Sequence, residues 1–270
     1  MLVVVSRPSL GNPSPSHTRT PPTATPTGDW QLVWSDEFDG PNGSAVDTAK
    51  WSFNVGCGGW GNRELQHYTD RTTNAYIEDG ALVIKAQRED YGTSRYTSAR
   101  LVTKGKGDWV TGRFEIRAKL PYGQGIWPAI WMLPTDWEYG GWPGSGEIDI
   151  MELVGHEPAR VHGTLHYGWP HTYTGDHYDL TGGETFADGY HVFATEWEPG
   201  EIRWYVDGIH YQTQTEWFTS SSKGTYPAPF DRRFHLLINV AVGGRWPGYP
   251  DETTVFPQTM HVDYVRVYQK

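Results

Sequence analysis

From Asp29 onward, short runs of alternating apolar and polar residues recur between turns rich in Gly, Pro, Asn and Asp. A period of two marks a half-buried strand, because successive side chains point to opposite faces of a sheet. The pattern predicts strands over 30–34, 81–87, 96–103 and 109–120. In the last of these Phe114, Ile116, Ala118 and Leu120 alternate with Glu115, Arg117 and Lys119. Further strands are predicted over 126–133, 147–154, 159–166, 190–197, 201–206, 209–212, 233–242 and 260–268. Between two of them Asp207-Gly208 forms a two-residue hairpin turn. No segment sustains a helical period, and one short helix or turn is expected over 216–221. Strands at this density, joined by polar turns, predict an all-β antiparallel sandwich. Composition does not break after Asp29, so residues 29–270 read as one domain.

One predicted strand violates the pattern. In Gly144-Ser145-Gly146-Glu147-Ile148-Asp149-Ile150-Met151-Glu152-Leu153 an apolar run carries three acids. Unpaired buried charge is costly, so the three need an explanation. Glu147 and Asp149 share a face, but Glu152 falls on the other. One extra residue, a β-bulge around Ile150 or Met151, returns Glu152 to the same side. Two carboxyl groups flanking a glycosidic bond are the machinery of glycoside hydrolysis, one acting as nucleophile and one as acid and then base. A third acid between them raises the pKa of the group that must stay protonated. On spacing alone, a calcium-binding acidic cluster and a solvated edge strand stay open as alternatives.

Composition narrows the partners. The 270-residue chain carries a net charge of −10, which disfavours nucleic acid and sulfated glycans and suits a neutral polymer. Cys57 is the single cysteine, so neither an intrachain disulfide nor a multi-thiolate metal site can form. No run approaches the roughly 18 apolar residues of a membrane span. Residues 1–28 differ in character: Met1 to Val5 is shorter than the about 7–15 residues of a signal-peptide core, and Pro, Ser and Thr dominate afterwards. They read as a disordered leader or linker, or a vector remnant.

The surroundings of the acid row favour catalysis. Trp127 and Trp131, four apart in a predicted strand, face the same way and could stack on sugar rings. Tryptophans are more often core, but the chain has 14 of them, more than one core of this size needs. Asn62, Glu64 and Gln66 alternate and could bind hydroxyls, or simply anchor a loop. His162 and His166 share the four-residue spacing of helical zinc motifs, yet lie in a predicted strand without the adjacent Glu, so catalytic zinc is set aside. His166 reads instead as a hydrogen-bonding wall of the acid site.

Taken together these residues resemble glycoside hydrolase family 16, and within it the bacterial laminarinase-type endo-β-1,3-glucanases. Glu147-Ile148-Asp149-Ile150-Met151-Glu152 carries the resemblance, supported by 34–38, 62–68, 125–134, 191–208 and 263–268. Met151 matters, because lichenase-type members lack that residue and keep a regular strand. The resemblance implies a β-jelly-roll of two curved antiparallel sheets with a concave substrate cleft. It implies Glu147 as nucleophile, Glu152 as general acid/base and Asp149 as the assisting carboxylate. It places Asn62, Arg100, Trp127, Trp131, His166 and Trp246 at the sugar. It further implies a structural calcium at the carbonyls of Glu37 and Gly80 and the carboxylate of Asp263, and no cofactor for catalysis. The expected protein is a secreted monomer that hydrolyses laminarin-like glucans with retention, with mixed-linkage β-1,3-1,4-glucan as a candidate second substrate. The competing reading is a non-catalytic β-glucan recognition protein of the same fold, against which the presence of both glutamates counts.

Overall fold

The computed structural model describes residues 28–270, and the leader assigned to residues 1–28 therefore lies, up to residue 27, outside the described residues. The described residues form eighteen strands. The first six are β1 (Gln31–Asp36), β2 (Ser52–Phe53), β3 (Gln66–Tyr68), β4 (Ala75–Glu78), β5 (Ala81–Tyr91) and β6 (Ser94–Ser98). Next come β7 (Arg100–Val102), β8 (Asp108–Trp109), β9 (Gly112–Lys119), β10 (Ile126–Pro134), β11 (Glu147–Glu152) and β12 (Arg160–Tyr167). The last six are β13 (Thr172–Asp179), β14 (His191–Glu198), β15 (Glu201–Val206), β16 (Ile209–Gln214), β17 (Phe234–Val242) and β18 (Gln258–Gln269).

They build two sheets packed face to face, the jelly-roll sandwich. One runs β16-β15-β14-β9-β18-β5-β6-β3, with β1 on β18 and β4 on β5. The other runs β13-β12-β11-β10-β17-β7-β2, with β8 on β17. Pairing is antiparallel except between β3 and β6. Alternation sorts the faces: along β12, Val161, Leu165 and Tyr167 enter the core while His162, Thr164 and His166 face outward. Between the sheets Trp197, Trp204, Phe114, Phe193 and Phe234 are fully buried, each contributing about 1.5–3 kcal/mol by leaving water.

Two predicted strands are each divided between the sheets. The 96–103 run splits at buried Ala99 into β6 of one sheet and β7 of the other. The 109–120 run splits after Trp109, where Thr111 and Gly112 both adopt positive φ. A Cβ on Gly112 would lie 2.9 Å from the Tyr268 carbonyl oxygen, so the chain can cross there only as glycine. Residues 216–221 are irregular rather than helical. The segment is tied down by tertiary bonds instead: the Tyr167 hydroxyl donates to the Glu216 carbonyl, and the Ser220 hydroxyl accepts from the Trp169 N–H. β13 escapes the apolar pattern because it is a mostly exposed edge strand in which only Tyr173 and Tyr178 are large apolar side chains.

Candidate active site

A cleft of about 750 Å³ crosses the outer face of the eight-stranded sheet, and β11 lies in its floor. Against β12, Glu147 pairs with His166 and Asp149 with Thr164; the register then slips, and Glu152 pairs with His162. Ile150 and Met151 together oppose the single residue Gly163, which is a β-bulge. On the other flank Met151 pairs with Ile130 and Asp149 with Trp131, so Ile150 is passed over. As a result Ile148, Ile150 and Met151 all enter the core, whereas Glu147 and Glu152 both line the cleft. Asp149 sits between them, its side chain only 2% exposed. Two consecutive apolar residues on one side, followed by an acid on the other, are what a regular strand could not deliver.

Each acid has a distinct environment. Trp142 Nε1–H donates to Glu147 Oε2 at 2.9 Å, and Trp127 Nε1–H donates to Glu152 Oε1 at 3.0 Å. Asp149 Oδ2 is buried without a hydrogen-bond partner. His166 Nε2 approaches it to 3.3 Å and Glu147 Oε1 to 4.0 Å, close enough for electrostatics but not aligned as hydrogen bonds. His166 Nδ1 and His171 Nε2 are 2.9 Å apart. With His171 donating, His166 turns its own Nε2–H towards the acids. Burial holds the His171 imidazole below its usual pKa, which keeps it neutral for that role.

Burial dominates the ionisation of the row. It pushes the Glu152 carboxyl up to about 8, with the Asp149 charge adding to the rise and His166 and the Trp127 bond opposing it. Glu147 and Asp149 are both raised well above the carboxylate range by burial. In Glu147 the neighbouring Asp149 adds to this, while His166 and the Trp142 bond pull the other way. The two titrate as a pair. Within that pair the indole donor of Trp142 favours the charged form of Glu147.

The remaining residues expected at the sugar share this cleft. Asn62, Arg100, Trp127, Trp131, His166 and Trp246 all line it. The Arg100 guanidinium lies 4.9 Å from the Trp60 ring and 4.6 Å from the Trp131 ring, and its Nε lacks a partner. Trp131 Nε1–H donates to Asn239 Oδ1 at 2.8 Å, which fixes the ring. Trp246 meets Trp127 edge-on with centroids 5.6 Å apart and is 43% exposed. Glu64 also reaches the cleft, but Gln66 does not: it is buried, donating to Glu64 and accepting from the Val242 N–H. Its alternation with Asn62 and Glu64 fails because 62–65 is not strand.

Sequence reasoning did not single out Trp60, Trp137, Trp142, His171, Tyr173 or Asn239, which line the same cleft. The surplus of tryptophan was a signal for the first three, without saying which ones. Of the other three, His171 lies in a loop and Tyr173 on the edge strand β13, where no apolar period marks them. Asn239, by contrast, interrupts the apolar run of β17 and carried that one local signal.

Among the described residues, the side-chain group that could hold an ion is Glu147, Asp149 and His166, whose donor atoms lie within 4.8 Å of one another. The residues expected at calcium lie on the other sheet. Asp263 belongs to β18, Glu37 follows β1, and Gly80 turns between β4 and β5 with φ 74°. Asp263 Oδ2 already meets Arg117 Nη1 at 2.7 Å, and the Glu37 carboxylate takes both arms of Arg266 at 2.8 Å.

Comparison with known proteins follows the same lines. Residues 46–266 match the family model described as glycosyl hydrolases family 16. A beta-glucanase of Rhodothermus marinus is 49% identical over 246 residues, spanning 89% of this chain and 85% of the relative. A glucan endo-1,3-beta-glucosidase of Cryptopygus antarcticus is 42% identical over 257 residues, 88% of this chain and 92% of the relative. The solved catalytic domain of an endo-1,3-beta-glucanase (laminarinase) from Thermotoga petrophila superposes with a TM-score of 0.80 at 46% identity, covering 90% of this chain and 98% of that one.

Proposed function

The chain belongs to glycosyl hydrolase family 16, and on that premise we propose that it is a retaining endo-β-1,3-glucanase acting on laminarin-like glucans, and on mixed-linkage β-1,3-1,4-glucan as a second substrate. The observation that carries this reading is the bulged acid row in an aromatic-lined cleft. The similarity to laminarinases and endo-1,3-glucosidases supports the substrate class.

In the reading we favour, the glucan lies across the cleft with the scissile bond over β11. Tryptophan faces stack on its C–H surfaces, which sets an internal bond of the polymer over the acids. Ionised Glu147, held by the Trp142 N–H, attacks the anomeric carbon. Glu152 is protonated at neutral pH and gives its proton to the departing glycosidic oxygen, so that bond breaks as the glycosyl–Glu147 ester forms. Glu152, now a carboxylate, takes a proton from water. The resulting hydroxide attacks the same carbon, releasing Glu147 and restoring the original anomeric configuration. Asp149 lies between the two working carboxyls, where its charge adds to the rise that keeps Glu152 protonated.

The site would be complete within one chain, which suits a monomer, and a polysaccharide substrate suits a protein secreted from its cell. A structural calcium at the Glu37 and Gly80 carbonyls and Asp263 fits hard oxygen donors. Arg117 already neutralises Asp263, so the ion would add to an existing pair rather than rescue an unpaired acid. The non-catalytic alternative gains no support from a cleft holding all three acids. The test is digestion of laminarin and lichenan with NMR of the first-formed products. Release of β-anomers is expected; α-anomers, or tight binding without cleavage, would overturn the proposal.

A further inference from the structure

A bulge breaks a ladder, and a broken ladder leaves backbone groups that must find other partners. At this one the partners come from the opposite sheet. Trp204, fully buried on β15, sends its Nε1–H across the core to the Asp149 carbonyl at 2.8 Å. Gln212 on β16, also buried, donates Nε2–H to the carbonyl of Gly163, the residue facing the bulge, at 2.8 Å.

The opposite sheet is itself shaped for this. Trp204 pairs with Gln212 and Tyr205 with His210, so Tyr211 is an extra residue in β16. That second bulge turns both Tyr211 and Gln212 towards Gly163. A Cβ on Gly163 would lie 2.5 Å from Trp204 Cδ1 and from the Tyr211 hydroxyl, and 2.6 Å from Gln212 Nε2. The two bulges therefore meet across the core with space for glycine alone.

We propose that Trp204 and Gln212 are positioning residues for the reaction: as a bracket from the non-catalytic sheet, they hold the β11 bulge and so keep Glu147 and Glu152 on one side at a fixed separation. The inference rests on the reading of those two acids as the reacting pair. The bracket acts on the backbone between them, at Asp149 and opposite Ile150 and Met151. Its loss leaves a buried carbonyl without a donor and lets the bulge shift along the strand. A displacement near 1 Å at a reacting group is enough to slow chemistry by about a hundredfold.

Gln212→Met removes one donor with little change in volume, and Trp204→Phe removes the other while also leaving a cavity in the core. Phe193→Leu, in the same core but away from the bulge, serves as a matched destabilised control. Two readouts are taken on the folded variants: kcat and KM on laminarin, and amide exchange at Ile150, Met151 and Glu152. For both bracket variants kcat should fall roughly ten- to a hundredfold with KM within about twofold, a loss specific to the transition state. Exchange at the bulge should rise at least about tenfold while β5 and β18 are unchanged. Phe193→Leu should lower the melting temperature without either effect. Bracket variants that behave like Phe193→Leu in both readouts would overturn the proposal, and Gln212→Met decides alone if Trp204→Phe does not fold. If the wild-type protein cleaves no glucan, the functional reading fails, and the exchange data still decide whether the bracket holds the bulge.

Discussion

Trp127→Phe separates the two jobs assigned to one side chain. The ring stays in the cleft, but the indole N–H that donates to Glu152 Oε1 at 3.0 Å is lost. A hydrogen bond to a charged group contributes about 1.5–3 kcal/mol, or about 1–2 pKa units for a donor that favours only the carboxylate. Water can enter the open cleft and replace part of it, which reduces the expected shift to about 0.5–1 unit. The sign follows from the charge. The donor stabilises ionised Glu152, so removing it raises that carboxyl further above about 8. Glu152 must be protonated to act as acid, so the basic limb of kcat/KM moves to higher pH by the same amount. The assay is the pH dependence of kcat/KM on a soluble laminari-oligosaccharide from about pH 4 to 10, wild type against variant. A basic limb that stays in place, or moves to lower pH, would refute Glu152 as the general acid tuned by Trp127.

Two further outcomes follow from the same electrostatics. Glu152 rises from 4.5 to about 8 on folding, so between those values the folded state binds more protons than the unfolded one. Its contribution to stability is therefore full below about pH 4.5 and is lost as pH rises through 8. Glu152→Gln, which cannot ionise, should match wild type near pH 4 and exceed it by about 1–2 kcal/mol near pH 8, short of the full linkage value because water reaches the cleft. Thermal unfolding at both pH values checks this, and a variant no more stable at pH 8 would contradict the assigned burial cost. For the calcium proposal, a chelator should lower the melting temperature by a few degrees and added calcium should restore it, while the fold persists at 25 °C because Arg117 still pairs Asp263. Identical melting with chelator and with calcium would exclude an ion there.

The parts of this molecule legible in its sequence are those that obey period two. Alternation along 114–120 and 159–166 located strands and their inner faces, because burial on one side constrains every second residue. The acid row was legible for the opposite reason. Glu152 is out of phase with Asp149, and a phase slip in an otherwise regular strand has few physical resolutions. What holds the slip was not legible. Trp204 and Gln212 lie 55 and 49 residues from the carbonyls they bond, and nothing in either local pattern announces a polar contact across the core. Trp142, His171 and Tyr173 escaped for a related reason, since loops and a polar edge strand bring them to the cleft without any apolar periodicity. The runs over 96–103 and 109–120 read as single strands because alternation continues through Ala99 and across the Thr111-Gly112 corner. Periodicity records which side is buried, not which sheet buries it.

The retaining mechanism depends on which carboxylate attacks the sugar. An activated 2-deoxy-2-fluoro β-glucoside or laminaribioside slows departure of the glycosyl group, so a covalent intermediate accumulates and can be located by mass spectrometry of the digested protein. One glycosyl group per chain, attached to Glu147, is the predicted result. A label on Asp149 or Glu152 would contradict the assignment, and so would rapid turnover of laminarin with no covalent species at any of the three.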